Sequence, residues 1–192
     1  MSLNKEILFL TKNLHKYDEA FEILSDYDIH LKHLAFDKLE LQSHSIEDVS
    51  KFSAIQAYKQ LKHPLIVEDA GLFIYSLNGF PGPYSSYTFH TIGCNGILQL
   101  MKSTTDRSAK FRSVVTYIDF KDGVKCFNGI VHGNINFEKK GEKGFGFDPI
   151  FKPNSETLTF AEISSTHKNK ISHRAKALRL FANSRINRKN TS

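Results

Sequence analysis

EILFLTKNLHKYDEAFEIL, residues 6–24, changes its hydrophobic period partway along. Glu6 to Leu10 is an apolar run of strand length, whereas "LHKYDEAFEIL" sets Leu14, Tyr17, Phe21 and Leu24 on one helical face. That is a βα unit, and it opens a mixed α/β pattern. A short strand pair is expected between Ile29 and Leu41. A second amphipathic helix follows, with a stripe of Val49, Phe52, Ile55, Tyr58 and Leu61 ended by His63-Pro64. "LIVED" resumes as a buried strand, and the turn-rich "LNGFPGPYSS" leads to a short helix near Cys94 to Lys102. "FRSVVTYIDF" and "VKCFNGIVHGNI" read as a hairpin turning at Lys121-Asp122-Gly123. "SHRAKALRLFANSRI" closes the pattern as a helix with Ala175, Leu178, Phe181 and Ala182 inward. Residues 1–192 therefore read as one domain, the last few forming a frayed basic tail.

At 192 residues and 40% hydrophobic, the chain is long enough to bury a substantial core. Cys94 and Cys126 form no CxxC pair and have no histidine at metal spacing, which argues against a disulfide scaffold or a zinc site and fits a reducing interior. The early apolar run is too short for a signal-peptide core, and no segment approaches the roughly 18 apolar residues of a membrane span. A cytoplasmic protein with no membrane partner is expected. The net charge of +6 is local: eight of the 26 basic residues and none of the 20 acids lie between Thr166 and Ser192. Such a segment suits a phosphate-bearing ligand or a solvated helix, and gives little support to a stable nucleic-acid partner.

Five stretches carry chemistry. "TKNLHK" puts Thr11, Asn13 and Lys16 where the first strand hands over to the first helix, an end whose free N–H groups attract phosphate. The same residues also suit a plain structural role, with Asn13 as N-cap and Lys16 solvated. No GxxxxGK[ST] or GxGxxG occurs. "LIVEDAGL" ends its apolar run on adjacent carboxylates, Glu68 and Asp69. Their repulsion is relieved most directly by magnesium, a cation that takes hard oxygen ligands and bridges them to phosphates. Glu40, in "LELQ", is a further candidate ligand; alternatively Glu68 and Asp69 only terminate a strand ahead of Gly71. In "KNKISHR", Ser172 reads as an N-cap, leaving His173 and Arg174 in an exposed first turn near Lys168. Cations there oppose the helix dipole, so a ligand explains them better than helix stability does, a solvated surface being the plainer alternative. "GFGFDPIFKP", Gly144 to Pro153, sets Phe145, Phe147 and Asp148 on a glycine-rich backbone.

Taken in order, T-x-N-x-x-K, E-x-Q at Glu40 and Gln42, VED-x-GL, "LNGFPGPYSS", GFGFDP-x-F and "KNKISHR" resemble the inosine triphosphate pyrophosphatase family over nearly the whole chain. The resemblance implies an elongated mixed sheet flanked by helices, in two lobes around a central cleft. It also implies magnesium-dependent cleavage of ITP, dITP or XTP to the monophosphate and pyrophosphate, and a homodimer. By similarity, Thr11, Asn13 and Lys16 would hold the triphosphate. Glu40 and Asp69 would position the metal, and Asp69 or Glu68 would act on the attacking water. Phe145 would stack on the base, Phe147 would be the aromatic two positions on, and Asp148 would contact the base edge. Lys168, His173 and Arg174 would read the 6-oxo group. The chain departs from the pattern at Ser53, where many relatives carry a phosphate lysine that Lys51 would have to replace. It departs again at Phe147, which lacks a polar ring atom, and at Lys12 in place of a small residue. A Maf-like pyrophosphatase of other modified nucleotides is the nearest rival, and a basic nucleic-acid binder the more distant one.

Overall fold

The computed structural model describes residues 6–39 and 41–189. Glu40 and the last three residues of the basic tail lie outside the described residues. One open six-stranded sheet runs through the molecule in the order β2-β1-β3-β4-β5-β6. Its strands are β1 (Ile7–Leu10), β2 (Leu31–Leu34), β3 (Leu65–Ile74), β4 (Ser108–Asp119), β5 (Gly123–Ile135) and β6 (Phe151–Pro153). β1 is parallel to β2 and β3, and every later pairing is antiparallel. The helices are α1 (Leu14–Ser25), α2 (Ile46–Leu61), α3 (Ser85–Thr91), α4 (Gly93–Leu100), α5 (Ser165–Ile171) and α6 (His173–Lys189). Among the described residues no helix is long and apolar enough to cross a membrane.

The apolar run of β1 and the start of β3 is continuous because helices cover both faces there. On one face Phe9, Ile66 and Tyr117 pack with Ala20 and Leu24 of α1 and Leu178 and Phe181 of α6. On the other, Leu10, Leu65 and Val67 meet Ala54 and Ala57 of α2. A third core fills the far half of the sheet, where Leu72, Ile74, Phe111 and Phe151 pack with Ile97, Met101, Phe147 and Phe160. β3, β4 and β5 are long enough to run through both halves, so the cleft lies along the strands between two packed ends.

Several sequence expectations shift. The strand pair between Ile29 and Leu41 is one strand, β2, followed by irregular chain. On α1, Tyr17 and Leu24 face inward, but Leu14 and Phe21 are 60% and 51% exposed; Ala20 and Ile23 complete the buried stripe, one position round the helix. α2 buries Val49 of the expected stripe together with Ile46, Ser50, Ser53, Ala54 and Ala57, while Ile55, Tyr58 and Leu61 of that stripe pack against the same core only partly buried. Small residues let this helix approach the sheet closely, and apolar periodicity does not register serine. α3 was hidden inside the turn signals, whereas the β4–β5 hairpin and the inward face of α6 are as expected.

The largest revision concerns Glu68 and Asp69. They do not end a strand: β3 continues to Ile74, paired with β4 throughout. What ends there is β1, which pairs with β3 only from Leu65 to Val67. The sheet thus has a notch above Leu10, with Glu68 and Asp69 on its floor. The two carboxylates also do not share a site. Successive strand residues point to opposite faces, so Glu68 joins the α1/α6 face and Asp69 the α2 face.

Candidate active site

Local capping builds the first wall of the notch. Asn13 caps α1 by accepting from the Lys16 N–H at 3.3 Å, and its own N–H donates to Thr11 Oγ1 at 3.1 Å. This fixes Lys16 one turn into the helix, where its Nζ donates to Glu68 Oε2 at 2.8 Å and to the Glu68 carbonyl at 3.2 Å. Lys16 is therefore not a freely solvated side chain.

From Glu68 a chain of buried charges runs along the α1/α6 face. Ser113 Oγ donates to Glu68 Oε1 at 2.5 Å, and Arg174 Nε lies 3.2 Å from the same oxygen. Arg174 Nη1 pairs in turn with Glu19 Oε2. Glu19 Oε1 holds Lys168 Nζ at 2.9 Å, and Lys168 reaches Asp148 Oδ2 at 2.6 Å. Burial alone would push the Glu68 carboxyl up, but Arg174 and Lys16 outweigh it and hold it far below the usual carboxylate range. Burial opposes Glu19 in the same way and is again outweighed, by Arg174 and Lys168. At Asp148 burial prevails over Lys168 and raises the pKa. Burial, with Arg174 beside it, keeps the His173 imidazole neutral by pulling its pKa well below 6.5.

His173 and Arg174 correct the expectation of an exposed first turn. Ser172 does cap α6, accepting from the Ala175 N–H at 3.1 Å, but His173 and Arg174 are 3% and 1% exposed. The unfavourable helix dipole, about 0.3 to 1 kcal/mol, is outweighed by the two carboxylates that receive Arg174. His173 stacks on Phe111 with ring centroids 4.6 Å apart and planes at 9°, leaving its buried Nδ1 without a partner.

The glycine-rich stretch closes the other side. The Phe145 N–H donates to Asp148 Oδ2 at 2.9 Å, folding the loop over its own carboxylate. Gly144 has φ +72°, and a Cβ there would lie 2.2 Å from that same oxygen, so glycine is required. Phe145 is half-buried, with Lys168 Nζ 4.8 Å from its ring centroid and His15 stacked at 5.5 Å. Phe147 is 3% exposed and packs edge-on to Phe89, so it serves the far core as well as the cleft. Phe89, Phe111, Phe145, Phe147, His173 and Arg174 are among the residues that line a cavity of about 260 Å³, to which Asn13 contributes from the α1 terminus. Gly71 borders it: a Cβ there would stand 2.3 Å from the Gly82 carbonyl oxygen, so the "GFPGPYSS" chain can lie directly on β3.

On the opposite face, Asp69 Oδ1 accepts from Lys38 Nζ at 2.9 Å, while Oδ2 is buried with no hydrogen-bond partner. An unsatisfied carboxylate oxygen is the hard ligand magnesium takes, so Asp69 fits the expected metal. The second expected ligand, Glu40, lies outside the described residues. No cluster of three or more His, Cys, Asp or Glu suited to a metal occurs among the described residues. Lys51, the candidate replacement for the absent lysine of α2, pairs with Glu47 at 3.0 Å, one turn away on the same helix. Ser53 is fully buried and donates to the Leu39 carbonyl at 2.8 Å.

The structure thus gathers Asn13, Lys16, Glu68, Phe145, Phe147, Asp148, Lys168, His173 and Arg174 around one cleft, with Thr11 bracing Asn13 and Asp69 on the reverse side of β3. Sequence reasoning missed Glu19, Ser113 and Lys38. Glu19 had a usable signal, since it follows Lys16 by three residues on the same helical face; Ser113 and Lys38 carried none.

A mixed sheet split into two packed ends, with a helix terminus, buried ion pairs and an aromatic cavity meeting where one strand stops, defines an α/β protein built to enclose a small anionic, ring-bearing ligand. The chain belongs to the Ham1 family, which it matches over residues 7–184. It is 49% identical over 173 residues to the dITP/XTP pyrophosphatase of Hyperthermus butylicus, covering 90% of each chain. It is also 49% identical over 177 residues to the enzyme of that name from Methanopyrus kandleri, covering 92% of this chain and 94% of the relative. The solved structure of the Staphylococcus aureus Ham1 protein superimposes with a TM-score of 0.84 at 31% identity, covering 96% of this chain and all of that one. The resemblance read from the motifs is thereby borne out.

Proposed function

We propose that this chain is a nucleoside triphosphate pyrophosphatase that hydrolyses ITP, dITP and XTP to the monophosphate and pyrophosphate, acting in the cytoplasm as a homodimer. The observation that carries the reading is the continuity of one cavity. It is lined by Phe145, Lys168, His173 and Arg174 and also by Asn13 at the α1 terminus. A purine on Phe145 would leave its phosphates directed at that terminus and at Lys16. Stacking on Phe145 is indifferent to base identity, so selection falls to hydrogen bonds. Lys168 and Arg174 offer donors to a 6-oxo acceptor, whereas adenine would face them with its own 6-amino donor. Asp148 both turns the Phe145 loop and holds Lys168 at the base edge.

Water adds across the α–β phosphoanhydride, and catalysis of such a step is mostly alignment and charge neutralisation. Thr11 and Asn13 shape the terminus that receives the phosphates. Asp69, with Glu40, would hold magnesium. The metal supplies neutralisation of phosphate oxygens and a more acidic bound water. Glu68, held strongly acidic by Arg174 and Lys16, is a weak base and acts as the anchor that aims both cations; Asp69 orients the water. Pyrophosphate release from ITP, XTP, dITP, GTP and ATP, with and without magnesium, tests the reading. Magnesium-dependent turnover favouring ITP, dITP and XTP is expected. Equal turnover of ATP, or none of any purine nucleotide, would overturn it.

A further inference from the structure

Each of the two carboxylates on the notch floor holds one lysine, and the lysines arrive from opposite faces of β3. Lys16 comes from α1 to Glu68 and is 19% exposed; Lys38 comes from the chain following β2 to Asp69 and is 13% exposed. The Lys38 side is anchored through its neighbour, because buried Ser53 donates to the Leu39 carbonyl and ties this segment to α2. The cation of α2 nearest in sequence, Lys51, is committed to Glu47. Lys38 is therefore the ammonium that stands on the α2 face of the notch beside Asp69.

Asp69 offers one oxygen to Lys38 and keeps the other buried without a partner. A divalent cation bound to this carboxylate would share it with an ammonium already in hydrogen-bond contact, and like charges so close repel strongly in a partly buried site. The Lys38 side chain is long and flexible, and the anionic acceptors that arrive with such a cation are phosphate oxygens. Resting on the functional reading above, we propose that Lys38 is a phosphate-binding residue, stored on Asp69 and transferred to the pyrophosphate moiety of the substrate when a divalent cation takes Asp69. Lys16 and Lys38 then grip the phosphates from the two faces of β3.

The test uses binding rather than turnover. Manganese binding to the nucleotide-free protein is followed by electron paramagnetic resonance, and pyrophosphate binding with magnesium by calorimetry, for the parent, Lys38→Met and Lys38→Arg. Removing one charge-assisted contact should weaken pyrophosphate about tenfold or more in Lys38→Met, with Lys38→Arg restoring it to within about threefold. Manganese should bind Lys38→Met more tightly than the parent, because the competing ammonium is gone. Pyrophosphate affinity within about twofold of the parent would overturn phosphate binding, and unchanged manganese affinity would overturn storage on Asp69. Should Lys38→Met melt early, Lys38→Gln, which keeps a polar tip, takes its place. A parent protein inactive on every purine triphosphate would sink the functional reading, while the manganese comparison would still decide whether Lys38 guards Asp69.

Discussion

Arg174 and Glu68, from α6 and β3, face each other in a site from which solvent is almost wholly excluded, with Nε 3.2 Å from Oε1. Neither charge is stable there alone, so each justifies the burial of the other. Arg174→Met leaves Glu68 to Lys16 and Ser113 and strips Glu19 of one of its two cations. Breaking a buried pair in this way should lower stability by about 3–5 kcal/mol in urea titrations. Arg174→Met combined with Glu68→Met should recover part of that loss, because Lys16 is exposed enough to find water. A single-mutant loss below about 1 kcal/mol would mean that the pair is solvated in practice.

His173 sets an acid limit of a different kind. Its folded pKa lies well below 6.5 through burial and the neighbouring Arg174, so the native imidazole stays neutral while the unfolded chain takes up a proton below pH 6.5. The unfolded state then binds more protons, and stability falls as pH drops, by up to about 1.4 kcal/mol per pH unit from this group. The window runs from pH 6.5 down to about 4.5, where the depressed Glu19 and Glu68 carboxyls begin to add losses of the same sign. His173→Gln should flatten the slope between pH 6.5 and 5 whatever it does to absolute stability, and an unchanged slope would refute the assignment.

Those buried charges mark the limit of what the sequence made legible. Strands β1, β4 and β5 and the inward face of α6 followed from periodicity, because apolar side chains alone decide them. The burial of Arg174 did not, since its partners stand 155 and 106 residues away in the chain. Local reasoning could see only a cation at an unfavourable helix end, and it turned to a ligand for relief that Glu19 and Glu68 supply. Glu68 and Asp69 misled for a related reason. Adjacency in sequence suggested a shared cation, but a strand sends neighbours to opposite faces, and the notch that exposes them comes from the end of β1 rather than of β3. Ser53 could be recognised as a departure from the family pattern, yet not as the anchor of the Lys38 segment.

Asp69→Asn keeps the shape of a side chain that is already short of one hydrogen-bond partner. Stability should change little, because the amide can still accept from Lys38 through its oxygen. Turnover of ITP should fall at least about a hundredfold, the scale usual for a lost acid or base, and manganese binding should weaken with it. Activity within a few-fold of the parent would move metal and water to other ligands.

Phe145 and Lys168 separate stacking from reading, although Lys168 Nζ lies only 4.8 Å from the Phe145 ring centroid. Phe145→Ala removes a π surface that every purine can use, so binding of ITP and ATP should weaken by a similar factor, about 1–3 kcal/mol. Lys168→Gln removes an ammonium that Glu19 and Asp148 hold beside the Phe145 ring. ITP should then lose far more kcat/KM than ATP, shrinking their ratio by at least about tenfold, because ATP presents an amino donor at the 6 position where ITP presents an acceptor. Equal losses on both substrates would place Lys168 on the phosphates or in the scaffold of the cleft. In that event Arg174 and His173 would be left to distinguish a 6-oxo from a 6-amino group.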